Sequence, residues 1–148
     1  AILAILAAFA LPRFAQLSEQ AHVSSVKGTA GALSASVALV KAQWVTNGTT
    51  GAVNPVDGFG ENDVAATAAG WPDPGVSGGC TVLWRKLLQS NAPIVEPASA
   101  PTDSAEYLAS ASGNVCTYEY QPDGLTGSDA KQIIYNAGTG AVTTANVN

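Results

Sequence analysis

At 148 residues and 14.9 kDa the chain has room for one domain. Hydrophobic residues make up 47% of it and charged residues only 11%, with a net charge of −5, which argues against a nucleic-acid partner and against a basic membrane-surface helix. One histidine leaves no multi-histidine metal site, and three Trp, four Tyr and three Phe furnish a core that a disordered chain would lack.

Residues 1–11 read AILAILAAFAL, an unbroken apolar run. A bilayer span takes about 20 such residues, so this run alone is too short to cross one. It also lacks the basic flank and small-residue cleavage site of a secretory signal peptide. It reads as the second part of a longer apolar helix, which divides the chain into a protruding segment, 1–14, and a globular part, 15–148. Helical periodicity then continues. Val26, Ala30, Leu33, Val37, Val40 and Trp44 recur at steps of four and three, one stripe on a helix. Gln16, Glu19, Gln20, Ser24, Lys27, Ser34 and Gln43 supply the polar face, and Asn47-Gly48 is a stop signal. The pattern predicts a single helix to about residue 46, roughly 70 Å long at 1.5 Å per residue. A globule of this size is about 35 Å across, so half of the helix must project. Its apolar side chains Ile2, Leu3, Ile5, Leu6, Phe9, Leu11 and Phe14 then need a partner outside the domain. Pro12 within that segment is expected to kink or loosen the helix. Gly28 and Gly31, followed by Ala32 and Ala35, permit close approach of a sheet or of another helix.

From Thr49 to Gly79 the chain is punctuated by Gly and Pro, which predicts a long irregular connection with a short strand at Val64–Ala68. Thr81–Ser90 (TVLWRKLLQS) reads as a second helix that Asn91 ends. Glu106–Ala111 and Val115–Tyr120 form a hairpin about Ser112-Gly113-Asn114, and Lys131–Asn136 pairs with Ala141–Thr144 about Gly138-Thr139-Gly140. The expected fold class is α+β: a long N-terminal helix packed on a four-stranded antiparallel sheet, with a long loop region. Cys80 and Cys116 are too few for a zinc site and are not a C-x-x-C pair, so the simplest reading is one disulfide. It would close a loop of roughly 37 residues, contribute about 3–4 kcal/mol, and imply an oxidising compartment.

Chemistry-bearing patterns are thin. Glu19 and His22, three apart on a helix, suit an acid/base couple but read as a surface contact. Asp57, Glu61 and Asp63 sit in a glycine-bearing loop, weak candidates for Ca²⁺ that lack the 12-residue loop pattern and read as solvated. Trp71, Tyr107, Tyr118, Tyr120 and Tyr135 read as packing rather than as a sugar-stacking surface. Arg85-Lys86 is a small basic surface spot. No serine occupies a nucleophile elbow and no second histidine completes a triad. The expectation is a protein without catalytic residues, cofactor or resident metal.

AILAILAAFALPRF resembles the latter part of the N-terminal segment of type IV pilins and the related pseudopilins. The ending in Pro12-Arg13-Phe14 points to the mannose-sensitive haemagglutinin pilin subgroup, as do Gly70-Trp71-Pro72 and the pair Cys80 and Cys116 with Tyr118 and Tyr120 beyond. The tail Ile134-Tyr135-Asn136-Ala137-Gly138-Thr139-Gly140-Ala141-Val142 points the same way. The family's opening phenylalanine and early glutamate have no counterpart here, so its subunit-registration contact falls outside this sequence. The resemblance implies a ladle-shaped subunit with a disulfide-closed loop and, in the full-length protein, a methylated N-terminus. It further implies residence in the inner membrane of a Gram-negative cell, globular part in the periplasm. Pilus assembly machinery would then build identical subunits into an extracellular filament, helices inward, which supports adhesion to surfaces or host glycans and biofilm formation. The alternative is a type II secretion pseudopilin forming a short periplasmic filament; the cysteine pair and the long loop favour the pilus. A third reading, an enzyme or small-molecule binder on an unrelated α+β fold, lacks an acid/base constellation.

Overall fold

The computed structural model describes the backbone of residues 2–148 and the side chains from Gln16 onward. Helix α1 spans Ile2–Thr46, 45 residues without a break at Pro12, which is about 68 Å of helix. It stops at the expected signal: Gly48 takes φ +70°, and the Asn47 N–H donates to the Gln43 carbonyl at 2.9 Å. After the long loop come α2 (Cys80–Leu87), β1 (Val95–Pro97), β2 (Tyr107–Ser112), β3 (Val115–Tyr120), β4 (Gln132–Asn136) and β5 (Ala141–Ala145). The strands form one sheet in the order β1-β2-β3-β4-β5. Pairing is antiparallel except for β1, which runs parallel to β2.

The fold class is the expected α+β, but the sheet has five strands rather than four. The added strand is three residues long and ends on Pro97, too short for alternation to register. Two further expectations need correction. Helix α2 ends at Leu87 rather than Ser90, because Leu88 turns extended at φ −102° and ψ 159°. The strand at Val64–Ala68 shrinks to bridges of Ala66 with Val53 and Pro72, because the loop itself, and no neighbouring strand, offers the partners.

The core lies between α1 and the sheet. Val26, Ala30, Leu33, Val37 and Val40 are each at most 8% exposed, a complete inward stripe. Strand β3 alternates, turning Cys116, Tyr118 and Tyr120 inward; Tyr107 and Ala109 of β2 and Ile133 and Tyr135 of β4 share that side. Trp84 of α2 fills the remaining space, its ring 4.9 Å from that of Tyr107 and 4.6 Å from that of Tyr118. Its indole N–H donates to the Pro93 carbonyl at 3.1 Å. Cys80 and Cys116 are disulfide-bonded with Cα atoms 5.6 Å apart, pinning the start of α2 to β3. The Tyr118 hydroxyl donates to the Cys80 carbonyl at 2.8 Å beside that bond.

Candidate functional site

Between Gln16 and Thr46, α1 holds a window of mean hydropathy 1.3, long and apolar enough to cross a bilayer, yet only 28% of that window is buried. The exposed remainder is patterned. Leu17 and Leu39 are 58% and 61% exposed. Between them Ala21, Ser24, Gly28, Gly31, Ala32 and Ala35 also face outward, at the three- and four-residue steps that align side chains along a helix. A Cβ placed on Gly28 or Gly31 would meet nothing within 4 Å. The close approach expected of these glycines is therefore not made by the sheet of the same molecule. Instead Gly28, Ala32 and Ala35 form one wall of an open groove of about 460 Å³, with Leu88, Ala92 and Pro93 as the other wall. Upstream, the backbone of Ile2, Leu3, Ile5, Leu6, Phe9, Leu11, Pro12 and Phe14 is helical. Their side chains, on which the assembly reading rests, lie outside the described residues.

Residues distant in sequence meet at the far end of α1. Trp71 lies against Gly140 of the β4–β5 turn, and Trp44 lies against Gly70. A Cβ on either glycine would fall inside the facing indole, and both take positive φ, +83° at Gly70 and +74° at Gly140. The Lys41 ammonium sits 4.4 Å from the Trp44 ring centre and 5.1 Å from that of Trp71, and it donates to the Ala69 carbonyl. The Tyr135 hydroxyl donates to the Pro72 carbonyl at 2.6 Å. The Gly70-Trp71-Pro72 and Tyr135–Gly140 segments, singled out separately in the sequence, thus form one junction. Lys41 escaped notice because a lone helical lysine carries no mark of the rings that will flank it.

The chain matches no family model, no curated protein and no solved structure.

The remaining sequence candidates disperse. Among the described residues no three His, Cys, Asp or Glu side chains gather to hold a metal ion. The Asp57 carbonyl accepts from Asn47 at 2.8 Å, and Asp63 faces Lys86 at 3.8 Å. Lys86 also donates to the Asp63 and Ser77 carbonyls at 2.7 and 2.9 Å, and Arg85 to the Val95 carbonyl at 2.9 Å, so the basic spot ties α2 to its flanks. Glu19 and His22 do not pair with each other. His22 Nδ1 shares a 2.7 Å hydrogen bond with the Tyr120 hydroxyl, and Glu19 meets Lys131 at 2.8 Å. Tyr107, Tyr118, Tyr120 and Tyr135 are at most 5% exposed and present no sugar-stacking face. Burial raises the phenol pKa of Tyr107, Tyr118 and Tyr135 above the usual value.

One polar group went unseen in the sequence. Lys131 is 1% exposed and pairs with Asp123, itself 5% exposed, at 2.6 Å. Burial works against both charges. The Lys131 and Leu125 hydrogen bonds and the Lys131 charge nevertheless hold the Asp123 carboxyl below the ordinary range. Hydrogen bonds from Lys131 to Asp123 and Glu19 likewise hold its ammonium above the usual lysine value. The partners lie 8 and more than 100 positions away in sequence, so no local pattern announces them.

Proposed function

We propose that the chain is a structural subunit of an extracellular type IV pilus, of the mannose-sensitive haemagglutinin kind. The observation that carries this reading is a window of α1 between Gln16 and Thr46 that is apolar enough to cross a membrane but only 28% buried by its own domain. Such a helix needs a bilayer or other copies of itself. The upstream sequence strengthens the need, because each Ile, Leu or Phe of Ile2, Leu3, Ile5, Leu6, Phe9, Leu11 and Phe14 removed from water contributes roughly 1.5–3 kcal/mol. A helix bound on one side to its own sheet and free on the other makes a heterologous contact, and such contacts propagate into open helical filaments. The Cys80–Cys116 bond suits the periplasm and the cell exterior.

On this reading the partners are identical subunits, the inner membrane before assembly, and the pilus assembly machinery. Adhesion to surfaces or glycans is a property of the filament, and no catalytic step is required. The same apolar helix also serves a type II secretion pseudopilin; the disulfide and the long loop of residues 49–79 favour the pilus.

The test uses the full-length protein in the cell that makes it. Leu6→Lys or Phe9→Asp abolishes filaments in electron microscopy while the disulfide-bonded domain still folds. Normal filament numbers in these variants overturn the proposal, and loss of protein secretion without loss of surface filaments favours the pseudopilin.

A further inference from the structure

We infer that Lys131 is a clasp that sets the point at which α1 leaves the sheet, and that its ion pair with Glu19 serves the position of the helix rather than the stability of the fold. The ammonium binds two elements at once: Asp123 in the loop after β3 at 2.6 Å, and Glu19 on α1 at 2.8 Å. The loop side is itself anchored, since Asp123 Oδ1 accepts the Leu125 N–H at 3.1 Å. The Tyr120 N–H donates to the Lys131 carbonyl at 2.8 Å, fixing the lysine against β3. One turn further along the helix, His22 is bonded to Tyr120.

Apolar packing does not hold the helix at this level. Gln16, Leu17 and Ser18 are exposed, and Val26 is the first fully buried residue of α1 among the described ones. Beside Glu19 and Val23 an open cleft of about 420 Å³ separates the helix from Asn148 at the C-terminus. The Glu19 contact is therefore the earliest tie between α1 and the sheet among the described residues.

The energetics separate position from stability. Removing Lys131 alone would leave the buried Asp123 carboxylate without its partner and destabilise the fold. Glu19 is half exposed, so its pair with Lys131 is screened and adds little to global stability. The Lys131–Asp123 pair belongs to the fold itself, and the Lys131–Glu19 pair adds a directed hold on α1. With the clasp closed, α1 and the sheet move as one body from Glu19 onward. With it open, the next ties are the His22–Tyr120 hydrogen bond and Val23, one turn further on.

Hydrogen exchange read by mass spectrometry on the intact chain tests this, with Glu19→Gln and Glu19→Ala as variants. Both should raise exchange at the amides of residues 17–21 about tenfold, leaving β2–β5 and the thermal midpoint as in the parent. Unchanged exchange at 17–21 in Glu19→Gln overturns the inference, and that variant, altered at an exposed site, keeps the core intact. A rise spread evenly over the sheet in Glu19→Ala also overturns it, because the pair would then act only through stability.

Discussion

Two rows of α1 have different surroundings. Val26, Leu33, Val37 and Val40 are at most 1% exposed against the sheet, whereas Leu17 and Leu39, with Gly28, Gly31, Ala32 and Ala35 between them, lie open. Both rows advance by three and four residues, so periodicity does not separate them. Side-chain shape does. Branched chains interlock with the tyrosines of β2, β3 and β4 at the density of a protein interior. Glycine and alanine leave a smooth flank, on which a Cβ at Gly28 or Gly31 would meet nothing within 4 Å, and this suits the close approach of another helix. A helix can thus be built for two partners, one inside the molecule and one outside.

The largest contrast should come from matched truncations. Leu33→Ala leaves a cavity against the sheet and should cost about 2–5 kcal/mol in urea unfolding. Leu39→Ala, on the open row, should stay within about 0.5 kcal/mol; equal losses would erase the distinction between the rows.

pH provides a second contrast, because the titratable groups with shifted pKa lie on the sheet side. The Asp123 value is lowered. Its contribution is therefore present above the usual carboxylate pKa of about 3.9 and lost as pH falls through the lower folded value. The values of Lys131, Tyr107, Tyr118 and Tyr135 are raised. Their contributions are present below about pH 10 and lost as pH rises through the folded values. Thermal midpoints should form a plateau between roughly pH 5 and 9 and fall on both sides. A midpoint still rising above pH 10 would contradict the buried placement of the phenols.

The smallest effect is the most specific. Gly31 is helical, and a Cβ there meets open space, so Gly31→Ala should stabilise the isolated domain by about 0.5–1 kcal/mol. The same change should weaken filament assembly, since it thickens the smooth flank. A gain in both would remove the outer row from the interface.

Much of this architecture was legible because it is periodic. The α1 stripe and β3 are found where their patterns put them, and the Gly48 stop and the turn at Gly113 follow from backbone chemistry. Strand β1 was not legible, since three residues ending in proline carry no period. Gly28 and Gly31 mark a place for close approach of a sheet or a helix, and the sheet of the same molecule does not make it. Among site residues, the apolar run of 1–11 is visible in composition alone. Lys131, Asp123 and Lys41 were not, because burial of a charge depends on partners that only folding assembles.

The most direct measurement is photo-cross-linking from a benzoylphenylalanine placed at Ala35, in cells that assemble the full-length protein. The account predicts a covalent dimer of this chain, with the second attachment mapped to α1 of the other copy. Cross-links that stay within one copy, while filaments still form, would contradict it.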